Sequence, residues 1–301
     1  MKVIRAKVLG FCMGVRRAVD MAEGELRAAV GSGAGGRVCT MGPLIHNPQV
    51  LESLQRQGAE ILNEDKLPEN LTGATVIIRA HGISPALEDE LKKRGARVAD
   101  ATCPRVKASQ LKARSLTKEG YTLFLAGEKK HGEVIGIQGY ATGTPRHTPN
   151  CIVVADPDEA EKAAETLFHS NPGVKTALIG QTTISAEEYC TIGEGIKKFF
   201  PALEIIDTIC GATRDRQEAL RELCGAVDAV IVAGGRSSAN TRRLLFIACE
   251  QGKPAWLVES PEEIPPEIAL FETVGLCAGA STPDETIGII EKALLALRPG
   301  E

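Results

Sequence analysis

A strand-like segment that ends close to a cysteine, followed directly by a helix-like segment, occurs three times in this chain. The cysteines are Cys12, Cys103 and Cys210. Short runs rich in Val and Ile alternate with amphipathic stretches of helical period along the rest of the sequence, which is typical of an α/β protein with mainly parallel strands. The long repeat therefore predicts that this α/β fold is built from three similar units.

Two polar, glycine-containing loops follow each of these cysteines in the same order. The first loops carry His46, His131, Ser238 and Asn240, and the second loops carry His81, Thr182, Thr183 and Ser281. The third unit lacks a last strand, which the N-terminal segment KVIRAKVLG can supply because it leads into Cys12. We expect three α/β units of mainly parallel sheets around a pseudo-threefold axis, with domains at residues 13–102, 103–209, and 210–301 plus 1–12. An ordinary α/β protein with loosely matching strand–loop–helix segments is the alternative.

Charge and cysteine content exclude several classes of protein. The 35 basic and 39 acidic residues give a formal charge of -4, and no Lys/Arg-rich run of nucleic-acid-binding type is present. The N-terminal segment has no signal-peptide core, and no apolar run is long enough to cross a bilayer. Nine cysteines without a C-x-x-C pair are typical of a reducing compartment, so we expect a cytoplasmic protein without zinc-ribbon, thioredoxin or ferredoxin motifs.

The position of the three repeated cysteines suits metal ligation. A thiolate at a helix N-terminus is stabilised by the positive end of the helix dipole, and Pro104 suits the first position of a helix after Cys103. Three thiolates could hold an iron-sulfur cluster with one iron open to substrate, although zinc could also use them. We expect the other cysteines to be small buried hydrophobic residues: Cys39, Cys151, Cys190, Cys224, Cys249 and Cys277.

The polar loops predict an anion site. In parallel α/β units, functional loops and helix N-termini lie at the carboxyl ends of the strands, so the cysteines and loops are expected to face one central cavity. Helix N-termini with His, Ser, Thr and Asn donors favour an anion such as diphosphate. The absence of a G-x-x-x-x-G-K-[ST] motif argues against hydrolysis of nucleoside triphosphates.

Nine sequence blocks carry a resemblance to a known family. They are GFCMGVRRAVD, GPLIHNPQV, RAHGIS, DATCP, KKHGEVIG, GQTTIS, DTICGATRDRQ, SSANTRRL and AGASTPD, in order from residue 10 to about 284. Together they closely resemble the 4-hydroxy-3-methylbut-2-enyl diphosphate reductase family, which catalyses the last step of the methylerythritol phosphate route to isoprenoids. The resemblance implies a trefoil of three α/β lobes around one central 4Fe-4S cluster, held by Cys12, Cys103 and Cys210.

The same resemblance implies roles for the polar residues. Diphosphate is expected to bind to residues matching the family's ligands, namely His46, His81, His131, Ser238, Asn240 and Ser281. Glu133 and Thr182 match the residues near the allylic hydroxyl, so we expect Glu133 to donate the proton that lets water leave and Thr182 to hold that hydroxyl. The alternative for Glu133 is an exposed first-turn glutamate favoured by the helix dipole. Ala239 departs from the family's serine and removes one hydroxyl contact to diphosphate.

The implied reaction is the reductive dehydroxylation of an allylic diphosphate to isopentenyl and dimethylallyl diphosphates, with two electrons and two protons consumed and water released. The sequence has no nicotinamide-binding fingerprint, so we expect a separate ferredoxin or flavodoxin to donate electrons. Two alternatives stay open: a zinc-dependent hydrolase that uses the three cysteines, and a non-catalytic diphosphate-binding iron-sulfur module.

Overall fold

A computed structural model describes residues 1–31, 36–142 and 150–297 of the protein. The strands, in chain order, are β1 (Lys2–Arg5), β2 (Arg37–Met41), β3 (Ala59–Leu62), β4 (Ala74–Ile78), β5 (Arg97–Asp100), β6 (Thr122–Ala126), β7 (Cys151–Val154), β8 (Thr176–Gly180), β9 (Glu204–Ile205), β10 (Ala229–Ala233), β11 (Ala255–Val258) and β12 (Thr273–Ala278). The α-helices are α1 (Met13–Gly31), α2 (Pro48–Arg56), α3 (Pro85–Lys93), α4 (Pro104–Lys118), α5 (Gly132–Thr142), α6 (Pro157–Ser170), α7 (Ala186–Lys197), α8 (Gly211–Cys224), α9 (Ala239–Glu250) and α10 (Asp284–Ala296). Short 3-10 helices lie at Glu64–Lys66, Pro261–Glu263 and Pro266–Leu270. None of the helices in these ranges is long and apolar enough to cross a membrane.

The chain divides into two compact units. The first unit is Met1–Arg16, Ile45–Ser53 and Cys210–Glu301, and the second is Arg17–Leu44 and Leu54–Ile209. The first unit contains one four-stranded sheet and the second contains two. Each of the three domains expected from the sequence contains one of these sheets, while the domain boundaries stay a prediction.

All three sheets are parallel and share one strand order. The two sheets of the second unit run β3-β2-β4-β5 and β7-β6-β8-β9, and the sheet of the first unit runs β11-β10-β12-β1. The N-terminal strand β1 takes the fourth position of that last sheet, with Lys2 opposite Thr273 and Arg5 opposite Leu276. The structure thus confirms three α/β repeats, each with a sheet of four parallel strands. It also confirms that the N-terminal strand completes the sheet of the third repeat, which lies in the first compact unit.

Helices cover both faces of the sheets that contain β6, β8 and β10, as these apolar strands require. All five residues of β6, β8 and β10 are buried, which is the pattern of parallel strands packed on two sides. In β10, Val230 packs with Leu220 and Leu244 on one face, and Ile231 packs with Ile287 on the other. The strand ends and the following helix starts are thereby fixed in place, and these are the positions of the predicted functional residues.

Candidate active site

Each of the three repeated cysteines lies at the start of a helix. Cys12 directly precedes α1, and its carbonyl accepts a hydrogen bond of 3.0 Å from the backbone N–H of Arg16. Cys103 and Cys210 are the N-cap residues of α4 and α8, and neither side chain caps its own helix. All three are half-buried and outside any disulfide. Their side chains therefore lie at the positive ends of helix dipoles, which attract anionic groups.

In the first unit, the buried cation Arg216 lies close enough to Cys12 and Cys210 to interact with both. The side chain of Arg216 is in α8 and only 4% exposed. Burial lowers the pKa of this guanidinium, and the charges of Cys12 and Cys210 act in the opposite direction. Its Nε has no hydrogen-bond partner among the described residues. A buried cation with an unused donor beside two thiols suits an anionic group held by thiolates, so the residues present fit an iron-sulfur cluster. Cys103 belongs to the second unit.

The other cysteines divide into two groups. Cys39, Cys151, Cys224 and Cys277 are buried, as expected for small hydrophobic residues, and burial raises the pKa of the Cys151 thiol to about 12. The expectation was wrong for Cys190 and Cys249, which are exposed on α7 and α9. Cysteine is small and fits both the apolar and the polar side of an amphipathic helix. The surrounding sequence therefore does not determine whether a helical cysteine faces the core or the solvent.

Glu133 and Thr182 form a buried pair in the second unit. Glu133, in the first turn of α5, is 1% exposed. Its Oε1 accepts a hydrogen bond of 2.7 Å from the backbone N–H of Thr182, and its Oε2 accepts one of 3.0 Å from the Thr182 hydroxyl. Burial raises the pKa of Glu133 to about 7, against the opposing effect of both bonds from Thr182. The alternative of an exposed first-turn glutamate is therefore wrong, and the carboxyl can hold or release a proton near neutral pH.

Two of the predicted histidines meet next to this pair. The rings of His81 and His131 are perpendicular, with centroids 5.1 Å apart. The Nδ1 atom of His131 accepts a hydrogen bond of 3.2 Å from the backbone N–H of Glu133. This bond places the proton of the neutral ring on Nε2, so that His131 presents a donor suited to an anion.

An arginine that the sequence did not single out lies at the same place. The guanidinium of Arg79 stacks against the backbone at the start of α5, where a Cβ on Gly132 would be 2.9 Å from its Cζ. A Cβ on Gly42 would be 2.8 Å from Nη1, and Nε donates a hydrogen bond of 3.2 Å to the Gly82 carbonyl. Two glycines thus make room for a cation beside His131. The available signal was its position directly after the buried strand β4.

In the first unit, the loops that carry the remaining predicted ligands pack closely together. The Ser281 hydroxyl donates a hydrogen bond of 3.0 Å to the His46 carbonyl. The Ser238 hydroxyl accepts one of 3.3 Å from the backbone N–H of Thr241 and so caps α9. Asn240 is 5% exposed, and both polar atoms of its amide lack a hydrogen-bond partner in the described part of the chain. Such an amide suits a polar ligand, because leaving it unsatisfied is costly.

The two units divide the predicted residues between them. His46, Ser238, Asn240 and Ser281 share the first unit with Cys12 and Cys210, whereas His81, His131, Glu133 and Thr182 share the second with Cys103. The single cavity that the sequence predicts for all of them stays a prediction.

The close approach of two loops in the first unit gives a test of the His46 position. A Cβ on Gly235 would lie 2.6 Å from the His46 carbonyl oxygen, so Gly235→Ala must displace the His46 loop. Overpacking of this kind costs about 1–3 kcal/mol, and we expect affinity for inorganic diphosphate to fall roughly tenfold in calorimetric titration. Gly288→Ala is the control, because a Cβ there meets nothing within 4 Å. Equal diphosphate affinity in Gly235→Ala and Gly288→Ala would show that this loop does not bind the anion.

Comparison with known proteins matches almost the whole chain to one family. The LytB protein family matches residues 3–295. The chain is 44% identical to 4-hydroxy-3-methylbut-2-enyl diphosphate reductase of Treponema denticola, over 98% of this chain and 99% of the relative. It is 43% identical to the protein of the same name from Desulfovibrio desulfuricans, over 99% of this chain and 100% of the relative.

Solved structures show the same likeness. The structure of E-1-hydroxy-2-methyl-but-2-enyl-4-diphosphate reductase from Plasmodium falciparum is 28% identical and superposes with a TM-score of 0.87, covering 99% of this chain and 89% of that one. A second solved structure is that of (E)-4-hydroxy-3-methyl-but-2-enyl diphosphate reductase, described as the terminal enzyme of the non-mevalonate pathway. It is 38% identical to this chain and superposes with a TM-score of 0.68, covering 98% of this chain and 99% of that one.

Proposed function

This chain belongs to the LytB protein family, and from that premise we propose that it reduces 4-hydroxy-3-methylbut-2-enyl diphosphate to isopentenyl and dimethylallyl diphosphates. It is an oxidoreductase of isoprenoid synthesis, like the relatives that match it over nearly its full length. The observation that carries the proposal is the buried Glu133 carboxyl, which is held by Thr182 and has a pKa of about 7. Dehydroxylation needs such a group, because hydroxide is a poor leaving group.

The family membership points to an iron-sulfur cofactor. Its specific form is our proposal: one 4Fe-4S cluster with Cys12, Cys103 and Cys210 as its three protein ligands. When bound, such a cluster supplies electrons and a Lewis-acidic iron. The position of each cysteine at a helix N-terminus supports this assignment, as does the buried guanidinium of Arg216 near two of them. The remaining cysteines are either buried thiols with raised pKa values or exposed residues within a helix.

The protein's own residues bind the substrate by its diphosphate. The proposed ligands are neutral or switchable donors, namely His46, His81, His131, Ser238, Asn240 and Ser281. The unsatisfied amide of Asn240 and the Nε2 proton of His131 support this role. None of these groups carries a permanent charge, so they recognise phosphate oxygens by hydrogen-bond geometry, and Arg79 adds one positive charge.

Glu133 moves the proton that releases water. Near neutral pH its carboxyl is protonated in part of the molecules, since its pKa is about 7. In the productive complex this proton goes to the allylic hydroxyl, the C–O bond breaks and water leaves. Two electrons and one further proton complete the reaction, which replaces the hydroxyl by hydrogen. The hydroxyl of Thr182, already bonded to Oε2, holds the substrate hydroxyl in line with the carboxyl.

The source of the electrons is a further proposal. The sequence contains no nicotinamide-binding fingerprint, so we propose a ferredoxin or flavodoxin as the donor. The expected cytoplasmic location rests on the cysteine content and stays a prediction.

A coupled assay tests this function. Anaerobic protein is mixed with the allylic diphosphate and a chemically reduced viologen dye, and both substrate loss and dye oxidation are followed. A reductase consumes two reduced dye molecules for each substrate. A zinc-dependent hydrolase would consume substrate without oxidising dye, and a non-catalytic binding module would consume neither. Either of these last two results would refute the proposed reaction.

Replacing Asn240 tests which end of the substrate lies in the first unit. Asn240→Ala removes a buried amide that we assign to the diphosphate, and a lost hydrogen bond to a charged group costs roughly 1.5–3 kcal/mol. We expect affinities for substrate and for inorganic diphosphate to fall by a similar factor in calorimetric titration. The exposed Asn171→Ala is the control. Unchanged diphosphate affinity together with weaker substrate binding would reverse the proposed orientation.

A further inference from the structure

Arg216 connects the two cysteine-bearing turns of the first unit. Its Nη2 donates a hydrogen bond of 2.6 Å to the carbonyl of Gly10, two residues before Cys12. Its Nη1 donates one of 2.7 Å to the carbonyl of Ala212, two residues after Cys210. A single guanidinium therefore holds the backbone beside both cysteines. The planar, fixed geometry of arginine suits this task better than the flexible ammonium of lysine.

The burial of this cation is costly unless a negative charge lies nearby. Arg216 is 4% exposed, and its Nε–H has no partner among the residues that the structure describes. The groups whose charge favours the cationic form are Cys12, Cys210 and Asp215. Asp215 is exposed to solvent, so its attraction is screened. Cys12 and Cys210 are half-buried and are therefore the less exposed of these partners, so a negative group held between them would balance the guanidinium most directly.

We infer that Arg216 is a positioning residue for the turns of Cys12 and Cys210 and a fixed positive charge that raises the reduction potential of the cluster they hold. The inference rests on the proposed cluster ligation and goes beyond it. Reduction adds one negative charge to the cluster, and a neighbouring buried cation stabilises the reduced form more than the oxidised form. Net charge and hydrogen bonds near the sulfurs are known determinants of iron-sulfur potentials. Arg216 would thereby ease electron transfer from a weak donor.

The test compares variants that separate charge from shape. Arg216→Lys keeps the positive charge, and Arg216→Gln removes it. Arg221→Gln removes a charge from the exposed surface of the same helix and serves as the control. For each anaerobically prepared protein, the midpoint potential is measured by redox titration followed by absorbance and electron paramagnetic resonance. Iron and sulfide content and the melting temperature of the cluster-free protein are measured in parallel.

We expect the potential of Arg216→Gln to fall below that of the parent, while Arg216→Lys stays closer to the parent and Arg221→Gln is unchanged. Equal potentials in Arg216→Gln and the parent would overturn the inference, as would equal shifts in the glutamine and lysine variants. Loss of the cluster from both variants, with unchanged melting of the cluster-free proteins, would also overturn the role of charge. Iron retained in Cys12→Ser and Cys210→Ser would instead refute the proposed ligands, so the two failures are distinguishable.

Discussion

Glu133→Gln should lower turnover by roughly a hundred- to ten-thousand-fold, the range that a positioned general acid contributes. Glutamine keeps the size of the side chain, and its Oε1 can still accept the backbone N–H of Thr182, while its Nε2 would donate to the Thr182 hydroxyl that Oε2 of Glu133 accepts from. Its amide cannot supply a proton of comparable acidity. The buried position should therefore stay intact, and iron content and substrate affinity should match the parent.

The pH profile gives a second reading of the same residue. The proton-donating form of Glu133 is present below its pKa of about 7 and is lost as the pH rises through that value. Turnover of the parent should therefore decline above about pH 7, and the residual activity of Glu133→Gln should lack this decline.

Glu187→Gln is the matched control, because Glu187 is an exposed glutamate in the first turn of α7. Near-parent turnover of Glu133→Gln would refute its role as the acid, and weakened binding alone would make it a substrate ligand.

Replacing Cys12, Cys103 or Cys210 by serine should remove most of the bound iron and abolish turnover. A serine hydroxyl is a weak iron ligand under conditions in which a thiolate binds tightly, and a cluster with only three protein ligands depends on each of them. Because the side chains of Cys103 and Cys210 make no capping hydrogen bond to their helices, we expect little effect of their replacement on the folding of the cluster-free protein.

Two other cysteines provide controls for that series. Cys249→Ser changes an exposed thiol on α9, and Cys224→Ala changes a buried one at the end of α8. Both should keep full iron and sulfide content when measured after anaerobic purification. Full cluster occupancy in any of the three ligand variants, or its loss in both controls, would contradict the assignment of ligands.

The sequence predicts this fold well because the order of strands and helices follows from local patterns of apolar residues. The fully buried strands β6, β8 and β10 are continuous apolar runs, and each of them is followed by an α-helix. The placement of β1 beside β12 was also predictable, since the third repeat lacks a fourth strand and the chain begins with one. The cysteine turns were accessible for the same reason: a strand end, a cysteine and a helix start recur at each position, and Pro104 marks one start directly.

Contacts between residues far apart in the chain could not be predicted from the local pattern of apolar residues. Arg216 lies on α8 in a helical register that also suits a core-facing apolar residue, and its bond to Gly10 joins residues 206 positions apart. Arg79 depends on the absence of side chains at two distant glycines, Gly42 and Gly132, which no local signal reveals. The burial of Glu133 likewise depends on Thr182, which another strand delivers.

The content of iron, acid-labile sulfide and zinc in anaerobically purified protein tests the central claim most directly. A 4Fe-4S cluster held by three cysteines predicts about four iron and about four sulfide per chain, brown colour and negligible zinc. After Cys103→Ser, the same preparation should lose most of both iron and sulfide. Stoichiometric zinc in a colourless protein without sulfide would contradict the account, because the three cysteines would then serve a different metal and a different reaction.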